Sequence, residues 1–395
     1  MFEPIISFIV KYKFIFLFYL IVLSFLYIKR KSLDFQAKII VLYRMKWGLK
    51  WMDKYSQKFR EWIILLGYIG VGVGFIGLVA ISYILIKNLV DLFLVPEAVS
   101  GVSLVLPGIE VPGLGVLPFW YWIIAIFVIA IVHEFAHGIV ARAHNVEVKN
   151  TGIVLFGPII GAFVGPNEKK LRKENDVAQY SILAAGAFSN ILLAVIALVS
   201  LSFVFMPLQQ GMIEPLGFTF DEYFGEDYPF EQAGVPKGSI ITAIDDTPTS
   251  NLNQLSEKLF CSKPGDVITV QTGQESHQVT LTENPSDPNK GFMGVATPRN
   301  EFKVKEKYES GIWNILYFAL DWWNGFLRWL FLLSLGIGLF NLLPLPIVDG
   351  GRMAQVFLHR LKGSETGEKR YRQISIFFVL VLLLNLLFPW FIKLF

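Results

Sequence analysis

LPFWYWIIAIFVIAIVHEFAHGIV, residues 117–140, decides how the rest of the chain is interpreted. The run is long enough to cross a bilayer as a helix, which takes roughly 20 apolar residues. Its only acidic or basic side chains are His133, Glu134 and His137. On a helix the two histidines lie one turn apart on the same face, where both imidazoles can reach one metal ion. Because ionisable groups are costly at membrane depth, this trio predicts a functional site within a membrane helix.

The composition of the whole chain agrees with a membrane protein. Of its 395 residues, 54% are hydrophobic and only 17% are charged. Lipid can cover this much apolar surface, whereas a soluble protein of the same length could not bury it. The net charge of +3 gives no reason to expect a nucleic-acid partner. The single cysteine, Cys261, excludes an intramolecular disulfide and a thiolate zinc cluster.

Six apolar runs are candidate membrane spans, and charges in the intervening loops suggest their orientation. The stretch Lys29–Arg60 holds ten Lys or Arg, whereas residues 88–117 hold none. By the positive-inside rule the first stretch is expected in the cytoplasm and the second outside. The site that contains His133 and His137 is then expected towards the cytoplasmic side. The six runs are Pro4–Ile28, Ile63–Ile86, Leu117–Val140, Ser181–Met206, Leu327–Leu345 and Ile374–Phe395.

Two other parts of the chain differ from the apolar runs. Gly152–Pro166 is predicted to form two short β-strands divided by Gly157 and Pro158. Residues 207–308 have short apolar runs and frequent turn residues, and this length suits a small soluble domain. The predicted fold is a polytopic α-helical membrane protein with about six transmembrane helices, a membrane-associated β-hairpin and one inserted α+β domain. The predicted segments are 1–116, 117–206, 207–308, 309–353 and 354–395.

His133 and His137 need a third ligand to form a catalytic zinc site with one open position. The best candidate is Asp349, which ends another apolar span at the same predicted depth. Pro344 and Pro346 break the helix before it, and the glycines after it allow close backbone approach. Glu134, between the histidines, is the candidate general base on a zinc-bound water. The remaining histidines are more typical of surface groups: His144, His277 and His359.

Three motifs in this order resemble the site-2 protease family of intramembrane zinc metalloproteases. They are the H-E-x-x-H of residues 133–137, the G-x-x-x-N of residues 186–190, and the N-x-x-P-x-P-x-x-D-G of residues 341–350. The resemblance implies Zn2+ as cofactor and transmembrane proteins as substrates. It also implies that Asn190 binds substrate or the oxyanion, and that Asn341 shares this role or forms an interhelical hydrogen bond. The hairpin of residues 152–166 would hold the substrate in an extended form.

The soluble segment resembles a PDZ domain in its run E-Q-A-G-V-P-K-G-S-I-I-T-A-I-D-D, residues 231–246. Asn251–Phe260 is predicted as a helix, and Val267–Thr272 and Gln278–Leu281 as strands. PDZ domains add a peptide strand to a sheet edge, so a peptide or protein segment is an expected partner. The topology above puts this domain outside the cytoplasm.

Two other functions compete with the intramembrane protease. A metal transporter would need polar residues across the whole membrane, yet the ones found here cluster in one half. A non-catalytic zinc-binding membrane scaffold that uses the PDZ-like domain would leave Glu134 unexplained. Membrane lipid is an expected partner in each case. Zinc content and peptide cleavage distinguish the three.

Overall fold

The computed structural model describes residues 10, 12–36, 40–95, 100–102, 105–108, 110–111, 115–156, 159–273 and 275–392. The chain divides into two compact units, Met1–Leu201 with Gly325–Phe395, and Ser202–Asn324. The helices are α1 (Lys13–Lys29), α2 (Leu49–Lys58), α3 (Arg60–Leu94), α4 (Phe119–Ala143), α5 (Glu168–Leu171), α6 (Asp176–Ser200), α7 (Met206–Gln210), α8 (Pro229–Gln232), α9 (Leu252–Phe260), α10 (Gly311–Asn341), α11 (Asp349–Lys362) and α12 (Ser364–Ile392).

Five helices among the described residues are long and apolar enough to cross a membrane, and the chain is an integral membrane protein. They are Arg60–Leu94, Phe119–Ala143, Asp176–Gln210, Gly311–Asn341 and Ser364–Phe388. The third consists of α6 and α7 joined by a π-helical turn, Leu201–Phe205. The predicted first span, Pro4–Ile28, lies partly outside the described residues, and its described part forms α1. The predicted span Leu327–Leu345 was set too far along the chain. The helix begins at Gly311 and ends at Asn341, before the two prolines.

A four-stranded antiparallel sheet lies in the first unit, in the order β1 (Leu33–Gln36), β2 (Ile40–Met45), β5 (Val148–Phe156) and β6 (Ile159–Pro166). The predicted hairpin supplies its last two strands, but the pairing of two strands from the basic segment was not predicted. Ile40 of β2 pairs with Phe156 of β5, and β6 forms an edge of the sheet. Two further strands of this unit are β3 (Glu110–Val111) and β4 (Gly115–Val116).

Helix α6 packs between the elements that carry the polar motif residues. Its small residues Ala184 and Ala187 are buried against Leu342 and Met353, which flank the start of α11. Small side chains let membrane helices approach closely, because lipid provides no hydrophobic force between them. The contact therefore brings the beginning of α11 beside α6 and α4.

The second unit is built on an antiparallel sheet in the order β12-β11-β9-β7-β16, with β10 beside β9. The predicted helix is present as α9, and Asn251 caps it by accepting from Gln254 N–H. The predicted strand Val267–Thr272 is also present, whereas the next strand begins at Glu275 rather than Gln278. The strands are β7 (Ile213–Thr219), β8 (Glu222–Tyr223), β9 (Ile241–Ile244), β10 (Thr247–Pro248), β11 (Val267–Thr272), β12 (Glu275–Thr280), β13 (Thr282–Asn284), β14 (Asp287–Phe292), β15 (Val295–Ala296) and β16 (Arg299–Val304).

Candidate metal centre

The H-E-x-x-H motif lies within α4, in its carboxyl-terminal half. The spacing of four residues puts the rings of His133 and His137 on one face, with their centroids 4.8 Å apart. Both side chains are largely buried, at 12% and 13% exposed. The last turn of α4 is held in place by Arg60, whose Nε donates to the carbonyl of Ala143. The carboxyl-terminal end of α4 is therefore fixed, and both imidazoles lie inside the protein.

Asp349 reaches the same place from the first residue of α11. The chain turns sharply between the end of α10 and this residue, through the segment that contains Pro344 and Pro346. A side chain at Gly350 would overlap the carbonyl of Leu342, and one at Gly351 would overlap the carbonyl of Leu345. The two glycines are therefore required by close backbone approach rather than by an unusual φ.

The three predicted ligand atoms form a triangle with nearly equal sides. His133 Nε2 and His137 Nε2 are 3.2 Å apart, and each is 3.2 Å from Asp349 Oδ2. A tetrahedral zinc site with bond lengths of about 2.0 Å separates its ligand atoms by about 3.3 Å. Asp349 Oδ2 is buried and has no hydrogen-bond partner among the described residues. Two imidazole nitrogens and a carboxylate oxygen at these separations fit a zinc site.

The outer nitrogens of both rings contact α6. His137 Nδ1 lies 2.6 Å from the carbonyl oxygen of Ile182, which can only accept, so Nδ1 carries the proton and Nε2 is left as a ligand. His133 Nδ1 lies 3.1 Å from the amide nitrogen Nδ2 of Asn190. Rotation of this amide by 180° puts Oδ1, which is otherwise buried without a partner among the described residues, where it accepts from Nδ1–H. Such contacts fix the tautomer and orientation of metal-binding histidines.

Gly186 lies one turn before Asn190 on the same face of α6, directly against the two rings. A side chain there would overlap His137 Nε2 and come within 2.5 Å of His133 Nε2. The G-x-x-x-N spacing thus places the backbone of Gly186 in contact with both histidine rings and the amide of Asn190 beside the ring of His133. Sequence spacing indicates that both residues share a helix face, but not that this face holds the histidines.

Glu134 is oriented by the edge strand of the sheet. Its Oε2 accepts a hydrogen bond of 2.8 Å from the backbone N–H of Val164 on β6. In the register of this sheet Val164 is opposite Thr151, and its N–H points away from β5. Because strand groups alternate in direction, the N–H and C=O groups of Ile160 and Ala162 also face away from β5. The edge of β6 therefore runs past the carboxylate.

Asn341 is not joined to this cluster by any hydrogen bond among the described residues. It is the last residue of α10 and is half-buried. In the part of the chain that the structure describes, only His133, His137 and Asp349 form a group that could hold a metal ion. His144, His277 and His359 lie outside it. The contacts of the Ile182 carbonyl and the Val164 N–H were not predicted, since backbone groups leave no signal in residue identity.

An apolar cavity of about 640 Å³ lies in the first unit, next to the edge strand. Ile160 of β6 forms part of its wall. Side chains of α1, α3, α4 and α10 supply more of the lining, including Phe18, Leu85, Trp122, Leu333 and Phe340. A strand edge and an apolar cavity thus occur on one side of the motif helix.

A histidine pair and a carboxylate on elements of a membrane-spanning unit define the class of membrane metalloproteases. The chain belongs to Peptidase family M50, the site-2 protease family, whose model matches residues 121–386. It is 25% identical over 363 residues to an uncharacterized protein of Methanocaldococcus jannaschii, covering 90% of this chain and 87% of the other.

Two relatives have names that describe them as metalloproteases or probable metalloproteases. The zinc metalloprotease RasP of Shouchella clausii is 24% identical, over 52% of this chain and 57% of its own length. The probable membrane metalloprotease ARASP2, chloroplastic, of Arabidopsis thaliana is 23% identical, over 60% of this chain and 70% of its own. The chain thus spans little more than half the length of RasP.

Proposed function

We propose that this protein is a zinc-dependent endopeptidase that cuts peptide bonds in or near transmembrane segments of membrane proteins. The triangle of His133, His137 and Asp349, with Glu134 beside it, is the observation that carries the proposal. Family membership and the apolar helices support the same conclusion. The three ligands would hold Zn2+, which when bound lowers the pKa of water and polarises a carbonyl oxygen.

Glu134 acts as the general base in this mechanism. The hydrogen bond from Val164 to Oε2 fixes the carboxylate, and Oε1 receives none from the described residues. Oε1 takes a proton from the attacking water, and the same carboxylate then delivers it to the leaving amine. The fixed orientation limits the reorganisation that these two transfers require.

The edge of β6 holds the substrate for cleavage. A transmembrane helix hides its peptide bonds, so the segment that is cut must first become extended. The outward N–H and C=O groups of Ile160 and Ala162 can pair with such a segment by adding it as a strand. The adjacent cavity accepts its apolar side chains. The substrates are therefore membrane proteins whose cleaved segment unwinds readily.

Asn190 is a positioning residue for His133 in this proposal. Its side chain is fully buried and lies beside the outer nitrogen of the ring. The substrate or oxyanion role implied by the resemblance stays a prediction, and so does that of Asn341. For Asn190 the two roles differ in their effect on zinc affinity, which makes them separable.

The second unit captures a peptide or protein segment, as a PDZ-like domain does, and lies outside the cytoplasm. Its antiparallel sheet ends in two edge strands, β12 and β16, that could accept an added strand. The excess of Lys and Arg between residues 29 and 60 supports a cytoplasmic position for that stretch. The active site then opens towards the cytoplasmic side.

The test compares the native chain with Glu134→Gln, purified in detergent with a transmembrane model substrate. Zinc content is measured by elemental analysis and cleavage by mass spectrometry of the products. We expect equal zinc in both proteins and cleavage by the native chain alone. Cleavage by the Gln variant would contradict the general-base role. Zinc without cleavage in either protein, over a panel of substrates, would favour a scaffold or transporter, and absence of zinc would overturn the metal site.

A further inference from the structure

A row of aromatic side chains runs along α2 and into the start of α3. The residues are spaced by four, four, four and three positions. All five are exposed, from 39% for Tyr55 to 68% for Trp62. Tyr55 and Phe59 are stacked with ring centroids 6.3 Å apart, so the row is continuous across the break between the helices. The row consists of Trp47, Trp51, Tyr55, Phe59 and Trp62.

A row of lysines runs beside the aromatic row. Each lysine comes one residue before an aromatic: Lys46, Lys50, Lys54 and Lys58. All four are exposed, and none forms an ion pair with a carboxylate of the described residues. The ammonium group of Lys58 lies over the ring of Phe59, 5.1 Å from its centroid. Since residues three and four apart share a helix face, the lysines and aromatics form one surface, which we call the outer face of α2.

The opposite face of α2 contacts α4. Met52 is completely buried and packs against Gly138, the residue after His137. Trp47, which precedes α2 and begins the aromatic row, contacts both sides: it is 62% exposed, and its ring lies edge-on to Phe135 with centroids 5.4 Å apart. Asp53 pairs with Arg142 at 3.1 Å. The orientation of α2 is therefore fixed, and its outer face points away from the protein.

The outer face continues directly into the apolar surface of a membrane span. Helix α3 begins one residue after Phe59, and Leu65, Leu66 and Ile69 on its first turns are exposed. In a membrane protein these side chains contact lipid. The outer face of α2 therefore lies at the end of a span, at the depth of the lipid headgroups. Aromatic residues concentrate at this depth, and lysine side chains extend from it to reach phosphate.

We propose that the outer face of α2 binds the headgroups of anionic phospholipids. Its aromatic rings enter the boundary between headgroups and acyl chains, and its lysines contact the phosphates. The excess of unpaired positive charge selects anionic over zwitterionic lipid. Because Met52 and Trp47 pack on the half of α4 that carries the H-E-x-x-H motif, this lipid contact also steadies that helix.

Spin labels in vesicles test the depth of this face in the full chain. Cys261 is the only cysteine, so Cys261→Ser provides a background for single labels. Tyr55→Cys reports the outer face, and Gln57→Cys is the control, because Gln57 lines a polar cleft with Asp53 and Arg142. We expect the Tyr55 label to be relaxed more by oxygen and less by a water-soluble nickel complex than the Gln57 label. Equal accessibility to nickel would overturn the proposal.

Lysine substitution tests the preference for anionic lipid. Lys50, Lys54 and Lys58 are changed together to Gln, and the control changes Lys237, Lys263 and Lys290 of the second unit. Quenching of tryptophan fluorescence by brominated phosphatidylglycerol or phosphatidylcholine measures the relative affinity for the two lipids. We expect the preference for phosphatidylglycerol over phosphatidylcholine to fall at least about fivefold in the α2 variant and to stay unchanged in the control. About fivefold is the factor that one lysine contributes at an anionic surface.

An unchanged preference in the α2 variant would overturn the choice of ligand. A second outcome is that nickel reaches the Tyr55 label in vesicles and that soluble polyglutamate then protects the label. This outcome would show that the outer face of α2 binds an acidic protein instead of lipid. If the triple variant does not fold, the comparison of the Tyr55 and Gln57 labels still decides the depth of the face.

Discussion

Helices α4 and α2 pack against each other, yet they place polar side chains in opposite environments. On α4 the polar groups are buried, and each has its own neighbour: the carbonyl of Ile182 for His137, the amide of Asn190 for His133, and the N–H of Val164 for Glu134. On α2 the lysines are exposed and unpaired among the described residues. A polar group buried in a membrane unit needs a specific partner, whereas an exposed one can exchange partners freely.

This difference predicts how substitutions behave in the two helices. Around α4, removal or displacement of one neighbour should have a large and specific effect, because no solvent can replace it. On the outer face of α2, single changes should have small effects that add up. Four substitutions, at Gly186, Asn190, Ala162 and His144, test the buried side of the comparison.

Gly186→Ala should lower zinc affinity by more than about 100-fold, beyond the range typical for outer contacts of a metal site. The added methyl group would overlap the ring of His137 and press on His133. Competition with a chelator measures the affinity. Gly72→Ala is the matched control, since a Cβ at Gly72 of α3 meets open space. Native affinity in the Gly186 variant would show that the two rings do not lie against this backbone.

Asn190→Ala should lower zinc affinity about 10- to 100-fold, and Asn190→Asp should restore much of it by keeping an acceptor for Nδ1–H of His133. The absorption spectrum of the cobalt-substituted protein gives a second measure of the site. Ser334→Ala is the control, because it removes the hydrogen bond to the backbone carbonyl of Asn190 but leaves the amide in place. Unchanged zinc affinity with a raised KM would instead favour the substrate role.

The family and the residues of the candidate site could be predicted from the sequence, because their signals are local. His133 and His137 are separated by one helical turn, and Asp349 follows a helix break marked by two prolines. In the structure these three side chains lie together. A change in composition predicts a domain boundary near residue 207, and the second compact unit of the structure begins at Ser202.

Other features depend on contacts between distant parts of the chain. The strand Ile40–Met45 lies in a basic stretch and pairs with residues 151–156, more than one hundred positions away. No local sequence pattern predicts this pairing. The same holds for the contact of Asn190 with His133. The lysine and aromatic rows of α2 are visible in the sequence, but their meaning depends on knowing that Met52 faces α4.

Ala162→Pro should lower kcat/KM by about five- to tenfold, the value of one backbone hydrogen bond, with zinc content unchanged. Proline removes an N–H that points away from β5, so the ladder between β5 and β6 keeps its bonds. Ala162→Val is the control, since it keeps the backbone N–H and has a side chain similar in size to that of proline. Equal losses in the two variants would mean that the substrate does not pair with this edge.

His144 should produce the smallest effect, a dependence of stability on pH. Burial lowers the pKa of this imidazole, Arg60 lowers it further, and Glu174 partly opposes them. The folded protein therefore takes up this proton only below the pH at which the unfolded chain binds it, near 6.5. Stability should fall as the pH drops through this value, because the unfolded state then holds more protons.

Thermal unfolding in detergent, compared at pH 7.5 and 5.5, measures this contribution as the difference between the native chain and His144→Gln. We expect the native chain to lose about 1–2 °C more than the variant on acidification. Because His144 Nε2 is buried with no hydrogen-bond partner among the described residues, a glutamine that stays neutral removes the proton uptake. A native chain that gains stability at the lower pH relative to the variant would mean that Glu174, rather than burial, controls the imidazole.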